Sequence, residues 1–279
     1  MDTRAMTAGI AAAAGAATVV CCLAGCVGHL ASKPGVYVTS HESIEVPTRT
    51  FDITYVKPAV PRPTGTLVIF ATGDAGWMGA SRQVFEHMAE QGYYLAGFDT
   101  RKAIAPNRDT GERMSIPDAG VELEAMFVHA KRALGLPETA RAIVVGDSRG
   151  ATMVIFAAAE KHLRTEVAGA VAIALTREAD YLRAPPPADR DPAIHVDDEG
   201  RIQIYPVLDR LNTIPIAVIQ STHDRYVPSA ESRRLMGPDT PMRRLYEVEA
   251  RNHGFDGGRE QLLANLDDAL KWIEAAPAR

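Results

Sequence analysis

The chain has 279 residues, of which 46% are hydrophobic and 23% charged, and its formal net charge is −5. This composition is typical of a soluble globular protein and fits one large domain or two small ones. The sequence contains no basic run, Walker-type phosphate loop, paired CxxC motif or HExxH motif, so we expect no nucleic acid, metal or cofactor as a partner.

The first 25 residues predict an export signal. Arg4 is followed by an alanine-rich apolar run from Ala8 to Leu23, and all three cysteines lie within the first 26 residues. The run ends in Leu23-Ala24-Gly25-Cys26, which resembles a bacterial lipobox. That resemblance implies cleavage before Cys26, lipidation of Cys26 and a membrane-anchored protein in the periplasm. Plain secretion and a retained transmembrane anchor are the alternatives, although the run is short and weakly apolar for a membrane span.

Residues 26–43 are predicted to be a tether, because they contain glycine and proline and show little periodicity. The folded domain is predicted to occupy residues 44–279. It opens with Ser43–Val46 and Phe51–Val56, whose alternating apolar and polar residues predict an antiparallel hairpin.

The rest of the chain alternates strands with helices. Short apolar runs typical of buried strands are separated by stretches whose apolar residues recur at helical spacing. This alternation predicts a mainly parallel sheet covered by helices on both faces. The predicted strands are Leu67–Phe70, Tyr94–Phe98, Ala142–Val145, Val167–Leu175, Ile214–Gln220 and Arg244–Val248. The predicted helices are Ser81–Gln91, Pro117–Leu134, Ala151–Ala159, Ala230–Met236 and Gln261–Glu274.

One segment, Arg177–Asn212, interrupts this alternation. It carries three consecutive prolines and many charges of both signs. So long a connection between strands is unusual unless it serves as a lid or a binding loop. Because ligands bind beyond the carboxyl ends of parallel strands, we expect the segment to cover that edge of the sheet and to shape a substrate pocket.

Gly146-Asp147-Ser148-Arg149-Gly150 matches the motif G-x-S-x-G. The motif alone is weak, but here a predicted strand ends just before it and a predicted helix begins just after it. That context is typical of the nucleophile elbow of α/β-hydrolases, a sharp turn that exposes a reactive serine. Glycines are expected on both sides because side chains there would strike the neighbouring strand and helix. We therefore predict an α/β-hydrolase fold with Ser148 as the nucleophile; an ordinary strand–turn–helix is the alternative.

A serine nucleophile needs a base and an acid, and in this fold the chain order is serine, acid, histidine. After the strand Ile214–Gln220 only His223 and His253 remain, and only His253 follows an acid at a strand end. Asp224 lies directly after that strand and is the predicted acid, which holds the histidine in the required tautomer. Asp256 is the alternative acid. A metal site at His223 and Asp224 is not favoured, since the sequence suggests no third ligand.

Acyl transfer also needs donors for the developing oxyanion. The backbone amide of Arg149 is one candidate, and the loop after Leu67–Phe70 supplies the amide of Asp74 as the other. Small residues in this loop let its backbone approach a ligand. Trp77 in the same loop and Asp147 beside the nucleophile are expected to contact the substrate.

Three segments together resemble a known family. Gly73-Asp74-Ala75-Gly76-Trp77, Gly146-Asp147-Ser148-Arg149-Gly150 and Asn252-His253-Gly254-Phe255-Asp256-Gly257 are similar, in content and order, to the loop, elbow and histidine motifs of the VirJ/AcvB family of exported bacterial α/β-hydrolases. The similarity spans residue 66 to the C-terminus. It implies export and an ester-hydrolase activity, with aminoacylated phospholipids as one substrate class.

The sequence departs from the family pattern at three positions. Ala75 replaces a glycine, Asp147 replaces the tyrosine before the nucleophile, and Thr152 replaces an aspartate. Asp147 and Arg149 place a pair of opposite charges around the serine, so the substrate contacts are expected to differ. The sequence thus predicts an exported, membrane-anchored serine hydrolase of carboxylic esters. A thioesterase, peptidase or acyltransferase with the same residues, and a non-catalytic binding protein, are the alternatives.

Overall fold

The computed structural model describes residues 30–277, except residues 47–48, 108–109, 164 and 193. The main sheet contains β1 (Tyr37–Val46), β2 (Arg49–Pro58), β3 (Leu67–Ala71), β4 (Tyr94–Phe98), β5 (Ala142–Asp147), β6 (Val167–Ile173), β7 (Ile216–Ser221) and β8 (Arg243–Val248). The α-helices are α1 (Gly79–Glu90), α2 (Thr100–Ala103), α3 (Ile116–Leu134), α4 (Arg149–Ala159), α5 (Tyr205–Leu208), α6 (Ser229–Met236) and α7 (Arg259–Glu274).

The strands lie side by side in the order β1-β2-β4-β3-β5-β6-β7-β8. The pairs β1–β2 and β2–β4 are antiparallel, and every other pair is parallel. The predicted α/β fold with a mainly parallel sheet is confirmed. The predicted strands and helices from β3 onward are all present, and their ends differ from the prediction by at most two residues.

The apolar strands are explained by two hydrophobic cores, one on each face of the sheet. Along β3, Val68 and Phe70 pack into the core that α1 and α7 cover, whereas Ile69 and Ala71 pack into the core under α3 and α4. Both faces of each central strand are therefore removed from water, which is why these strands show no alternation with polar residues.

The segment predicted as a tether is partly folded, so the boundary at residue 43 is wrong. β1 begins at Tyr37 and pairs with β2 along its whole length. The side chains of Leu30 and Tyr37 are buried in the core that α1 and α7 cover. The start of β1 could not be predicted from the sequence, because β1 lies at the edge of the sheet and most of its side chains are exposed or only partly buried.

The segment Arg177–Asn212 is more than a lid. Short strands within it pair with each other and with Met114–Ser115. Its apolar side chains complete the core beside α4: Ala179, Leu182, Ile194, Ile202, Ile204, Tyr205, Val207, Leu208 and Leu211 are all buried. Only part of the segment, including Glu178 and Asp180, borders the cavity at the carboxyl ends of the strands. We therefore correct the prediction: the segment is an integral part of the domain with one wall at the cavity.

The predicted signal peptide and Cys26 lie outside the described residues. Within residues 30–277, apart from the gaps given above, none of the helices has the length and apolar character that crossing a membrane requires.

Candidate active site

Ser148 lies on the turn between β5 and α4. Its φ of 52° and ψ of −115° place it in a backbone conformation that non-glycine residues rarely adopt. Its backbone amide donates to the carbonyl of Ile173 on β6 at 2.8 Å. Such a conformation persists only where the surrounding structure fixes it. The turn presents the serine hydroxyl to a cavity beyond the carboxyl ends of the strands.

The glycines that flank the serine are required by close packing. A Cβ on Gly146 would overlap the carbonyl of Gly150, and a Cβ on Gly150 would overlap the carbonyl of Ala71 at the end of β3. Both clashes are with backbone, which cannot rotate away as a side chain can. This supports the interpretation of the motif as an elbow wedged between two strands and a helix.

His253 lies in the loop between β8 and α7. Its Nε2 is 2.9 Å from Oγ of Ser148, and its Nδ1 is 2.6 Å from Oδ2 of Asp224. The loop is anchored by Phe255, which has a φ of 58° and a fully buried side chain. The Tyr226 ring packs nearly perpendicular to the imidazole, with 4.8 Å between ring centroids and 77° between the ring planes. The structure thus brings together the three residues that the sequence selected.

Asp224 is buried, with 2% of its surface exposed, and both carboxylate oxygens are satisfied. Oδ1 accepts from the amides of Tyr226 at 2.8 Å and Val227 at 3.4 Å. Oδ2 accepts from Nε2 of Gln220 at 3.0 Å as well as from His253. These donors compensate the carboxylate for its lost hydration and hold it in one orientation toward the histidine.

The alternative acid lies elsewhere. Asp256 has its carboxylate 2.8 Å from Nδ2 of Asn252 and 3.7 Å from Arg259, and its side chain is about half exposed. His223, considered with Asp224 as a metal ligand, is exposed and lies 3.0 Å from the carbonyl of Ala250 through Nδ1. The geometry therefore favours Asp224 as the partner of His253.

The loop after β3 lies directly against the elbow. A Cβ on Gly73 would be 3.3 Å from Cβ of Ser148, so a larger residue there would press on the nucleophile. The carbonyl of Gly73 accepts from the amide of Gly76 at 2.9 Å and closes a tight turn. Among the described residues, the amides of Asp74 and Arg149 have no hydrogen-bond acceptor. Neither amide is therefore engaged by another group, and their role as oxyanion donors stays a prediction.

Asp147 and Arg149 do not form a pair with each other. Arg149 makes ion pairs with Asp74 at 3.2 Å and Asp180 at 3.0 Å, and so links the oxyanion loop to the inserted segment. The Asp147 carboxylate is buried and accepts from Oγ of Ser81 at 2.6 Å. Burial raises the pKa of the Asp147 carboxyl, and the Ser81 hydrogen bond opposes that shift. Asp147 borders the cavity, so its predicted contact with substrate stays a prediction.

Trp77 does not line the cavity at Ser148, so its predicted substrate contact is wrong for this structure. Its indole packs edge-on against Phe85, with 4.9 Å between centroids, and also contacts Phe70. The indole fits against β4 because Gly97 has no side chain. A Cβ on Gly97 would lie 2.6 Å from both the Trp77 and Phe85 rings. Trp77 therefore packs against the hydrophobic core. The sequence does not show whether an aromatic residue beside a glycine-rich loop contacts the core or a substrate.

The cavity has a volume of about 460 Å³ and charged walls. The charged residues that line it, besides Asp147 and His253, are Asp74, Arg149, Glu178, Asp180, Arg201, Arg225 and Arg259. The Arg225 guanidinium stacks on the Tyr226 ring at 4.7 Å, and Tyr226 is the aromatic residue of the cavity lining besides His253. Sequence analysis missed Ser81, Arg225 and Tyr226. Tyr226 and Arg225 follow the predicted acid directly, which is the one signal that could have found them.

The fold and the site define a protein of the α/β-hydrolase fold with a serine elbow. The chain belongs to the family described as bacterial virulence protein VirJ, whose match covers residues 65–270. No curated protein matches the sequence.

Solved structures with the same fold include several esterases. An esterase of Pyrococcus furiosus has a TM-score of 0.62 and 18% identity over 88% of this chain and 95% of its own. Est1E of Butyrivibrio proteoclasticus has a TM-score of 0.58 and 16% identity over 84% and 98%. The esterase domain of a Rhodothermus marinus protein has a TM-score of 0.54 and 17% identity over 85% and 98%. At these identities the likeness establishes the fold.

Proposed function

We propose that the protein is a serine esterase that cleaves carboxylic esters through an acyl-enzyme on Ser148. The observation that carries the proposal is the unbroken series of hydrogen bonds from Asp224 through His253 to Ser148, which ends at the cavity. A buried carboxylate, a histidine and a serine in this arrangement are the groups that acyl transfer needs. A binding protein built on the same scaffold does not need the three in contact.

The proposed reaction has two steps. Nε2 of His253 accepts the proton of Ser148 as Oγ attacks the ester carbonyl, and Asp224 stabilises the imidazolium that forms. The amides of Asp74 and Arg149 donate to the oxyanion. His253 then gives its proton to the leaving alcohol, and in the second step it activates the water that hydrolyses the acyl-enzyme and restores Ser148.

Labelling with a fluorophosphonate tests this proposal. The reagent reacts with activated serines, so one adduct per chain is expected, and peptide mass spectrometry should place it on Ser148. A folded protein that takes no label and hydrolyses no p-nitrophenyl ester would instead support a binding protein that keeps the hydrolase scaffold.

The walls of the cavity favour a small or polar acyl group over a long fatty chain. The apolar side chains in the lining are Ala75, Met78, Ala80 and Tyr226, and the other side chains with more than a few atoms are polar or charged. A fatty chain gains about 0.8 kcal/mol for each CH₂ that it buries in an apolar environment. Against charged arginines and carboxylates, the loss of their hydration offsets that gain.

We therefore expect the wild-type protein to prefer short esters. Its kcat/KM for p-nitrophenyl acetate should exceed that for p-nitrophenyl palmitate on the order of 100-fold, equivalent to about 2.7 kcal/mol. The two substrates share one leaving group, so the comparison isolates the acyl part. Equal or better hydrolysis of the palmitate ester, in the same detergent, would place a fatty-acyl pocket at the site and contradict this prediction.

An aminoacylated phospholipid, the substrate class implied by the family resemblance, would bring a polar acyl group to Ser148. Two charges at the cavity support this choice. Glu178, whose charge also acts on Arg201 in the same lining, suits an ammonium group; Arg225, which stacks on Tyr226, suits a phosphate. We propose that the physiological substrate is such a polar ester of the cell envelope.

We also propose that the protein acts in the periplasm, anchored to the membrane by acyl chains on Cys26. The support is the Leu23–Cys26 segment and the charged cavity suited to an envelope ester. Mass spectrometry of the mature protein should find an acylated Cys26 at the N-terminus, and Cys26→Ser should leave the protein without lipid. Cys22→Ser is the matched control and should stay lipidated, because Cys22 is removed with the signal. A mature protein with an unmodified N-terminus at another residue would contradict the proposal.

A further inference from the structure

One buried hydroxyl connects the nucleophile elbow with the oxyanion loop. Oγ of Ser81, in the first turn of α1, donates to Oδ2 of Asp147 at 2.6 Å and accepts from the amide of Gly73 at 3.0 Å. Ser81 is 1% exposed and Asp147 is 9% exposed. Asp147 ends β5 immediately before the nucleophile, and Gly73 follows β3. A single side chain therefore joins the ends of two adjacent strands at the site.

These contacts fix the direction of the Asp74 amide. The Gly73 amide is held by Ser81, and the Gly73 carbonyl is held by the amide of Gly76 at 2.9 Å. The peptide bond between Gly73 and Asp74 is planar and trans, so the Asp74 N–H points away from the direction of the Gly73 carbonyl. The two peptides that flank Gly73, one ending in its N–H and the other beginning with its carbonyl, are thus both fixed before a substrate arrives, which is what electrostatic stabilisation of an oxyanion requires.

The chemistry of a hydroxyl suits this role. A serine hydroxyl has one proton and two lone pairs. The Ser81 hydroxyl donates its hydrogen bond to the Asp147 carboxylate. A lone pair of the same oxygen is therefore directed to the Gly73 amide. A Cβ on Gly73 would lie 3.2 Å from Oδ2 of Asp147. The loop and the carboxylate are thus in close contact, which leaves little room for Gly73 to move toward Asp147.

We propose that Asp147 and Ser81 are positioning residues that set the oxyanion loop against Ser148, with Asp147 acting as a hydrogen-bond acceptor rather than as a charge. The proposal rests on the proposed esterase function. Both act at a distance from the ester: Asp147 orients Ser81, and Ser81 holds the N–H of Gly73, the residue whose carbonyl shares a peptide with the Asp74 N–H. A negative charge beside a developing oxyanion is unfavourable, so a neutral acceptor of the same shape should serve as well as the carboxylate.

Four variants and a control test the proposal with p-nitrophenyl acetate. Ser81→Ala and Asp147→Ala should each lower kcat about 10- to 100-fold with KM within about twofold, since loss of a whole oxyanion donor costs about 10²–10³-fold and displacement costs less. The double variant should be no slower than the slower single variant, because both residues act through one chain of hydrogen bonds. Asp147→Asn should recover most of the kcat lost in Asp147→Ala.

Ser229→Ala is the matched control. Ser229 is also buried, in the first turn of a helix, and donates to a carboxylate, Glu247, at 2.7 Å, but it does not line the cavity. Its loss should change stability without changing kcat. If Ser81→Ala is too unstable to assay, Ser81→Cys fills the same space with a weaker hydrogen-bonding group and should show the same fall in kcat.

The outcomes separate this proposal from the proposed function. Wild-type kcat in Ser81→Ala, or a loss that Ser229→Ala reproduces, overturns the positioning role while the esterase function stands. Failure of Asp147→Asn to recover kcat overturns the acceptor role and assigns the effect to charge. A wild-type protein that neither hydrolyses the ester nor takes a fluorophosphonate overturns the esterase function, and the positioning role with it.

Discussion

Ser148→Ala is expected to lower kcat for p-nitrophenyl esters by about 10⁶-fold and to abolish fluorophosphonate labelling. The alanine side chain carries no oxygen to attack the carbonyl, and the described lining of the cavity holds no other serine. Thermal stability should change little, because the hydrogen bond that the hydroxyl makes with His253 lies at the cavity. Circular dichroism and a melting curve show that the variant is folded, and stopped or continuous p-nitrophenolate assays give kcat.

His253→Ala supplies the companion measurement. Serine is a poor nucleophile until a base accepts its proton, so loss of the histidine should suppress activity and labelling nearly as strongly. The double variant should be no worse than either single one, because nucleophile and base act as a unit. Ser148→Ala with full esterase activity would remove the serine from the mechanism and leave a binding protein as the better account.

The features predicted best from the sequence are those that local rules impose. The elbow was recognisable because a strand, a glycine–serine–glycine turn and a helix are contiguous in the chain, and the close approach of Gly150 to Ala71 explains why glycine is needed. The order of Asp224 and His253 after Ser148 followed from the topology of the sheet. Each follows its own strand, so the carboxyl edge of the sheet brings them together.

The features predicted worst depend on contacts between distant segments. The early start of β1 arises from its pairing with β2, whereas its exposed edge-strand side chains give no apolar pattern. The sequence predicts a lid for the inserted segment because three consecutive prolines and many charges lie within it. Its buried aliphatic residues are scattered over short, irregular elements, so neither helical nor strand periodicity reveals that it packs on α4.

Among the side chains of the site, too, roles that depend on contacts between distant segments are the ones predicted worst. The glycine-rich loop predicts the amide of Asp74 as an oxyanion donor, which stays a prediction, but the indole of Trp77 belongs to the core around Phe85. The charge of Asp147 suggested a substrate contact, whereas its partner is Ser81, 66 positions away in the chain. A hydrogen bond between the start of one helix and the end of a later strand has no signature in a single sequence, so only the structure could supply it.

Asp224→Asn is expected to lower kcat about 10⁴-fold, the loss typical of a triad acid. The substituted amide keeps the shape of the carboxylate and one acceptor oxygen, but an NH₂ group facing Nδ1 of His253 would favour the tautomer in which Nε2 carries the proton. The histidine then cannot accept the proton of Ser148, 2.9 Å away. KM should change little, because Asp224 does not line the cavity.

Asp256→Asn is the matched control and tests the choice of acid. Asp256 lies three residues from His253 in the sequence, yet its carboxylate is about half exposed and bonds to Asn252 and Arg259. Its isosteric replacement removes one charge from the surface and should alter kcat less than about threefold, since exposed ion pairs are worth at most ~1 kcal/mol. The pH dependence of kcat separates the two cases further, because only Asp224 holds Nδ1 of the base. If Asp256→Asn were the slower variant, the acid would have to be reassigned and the loop around Phe255 would have to move during catalysis to bring Asp256 to the histidine.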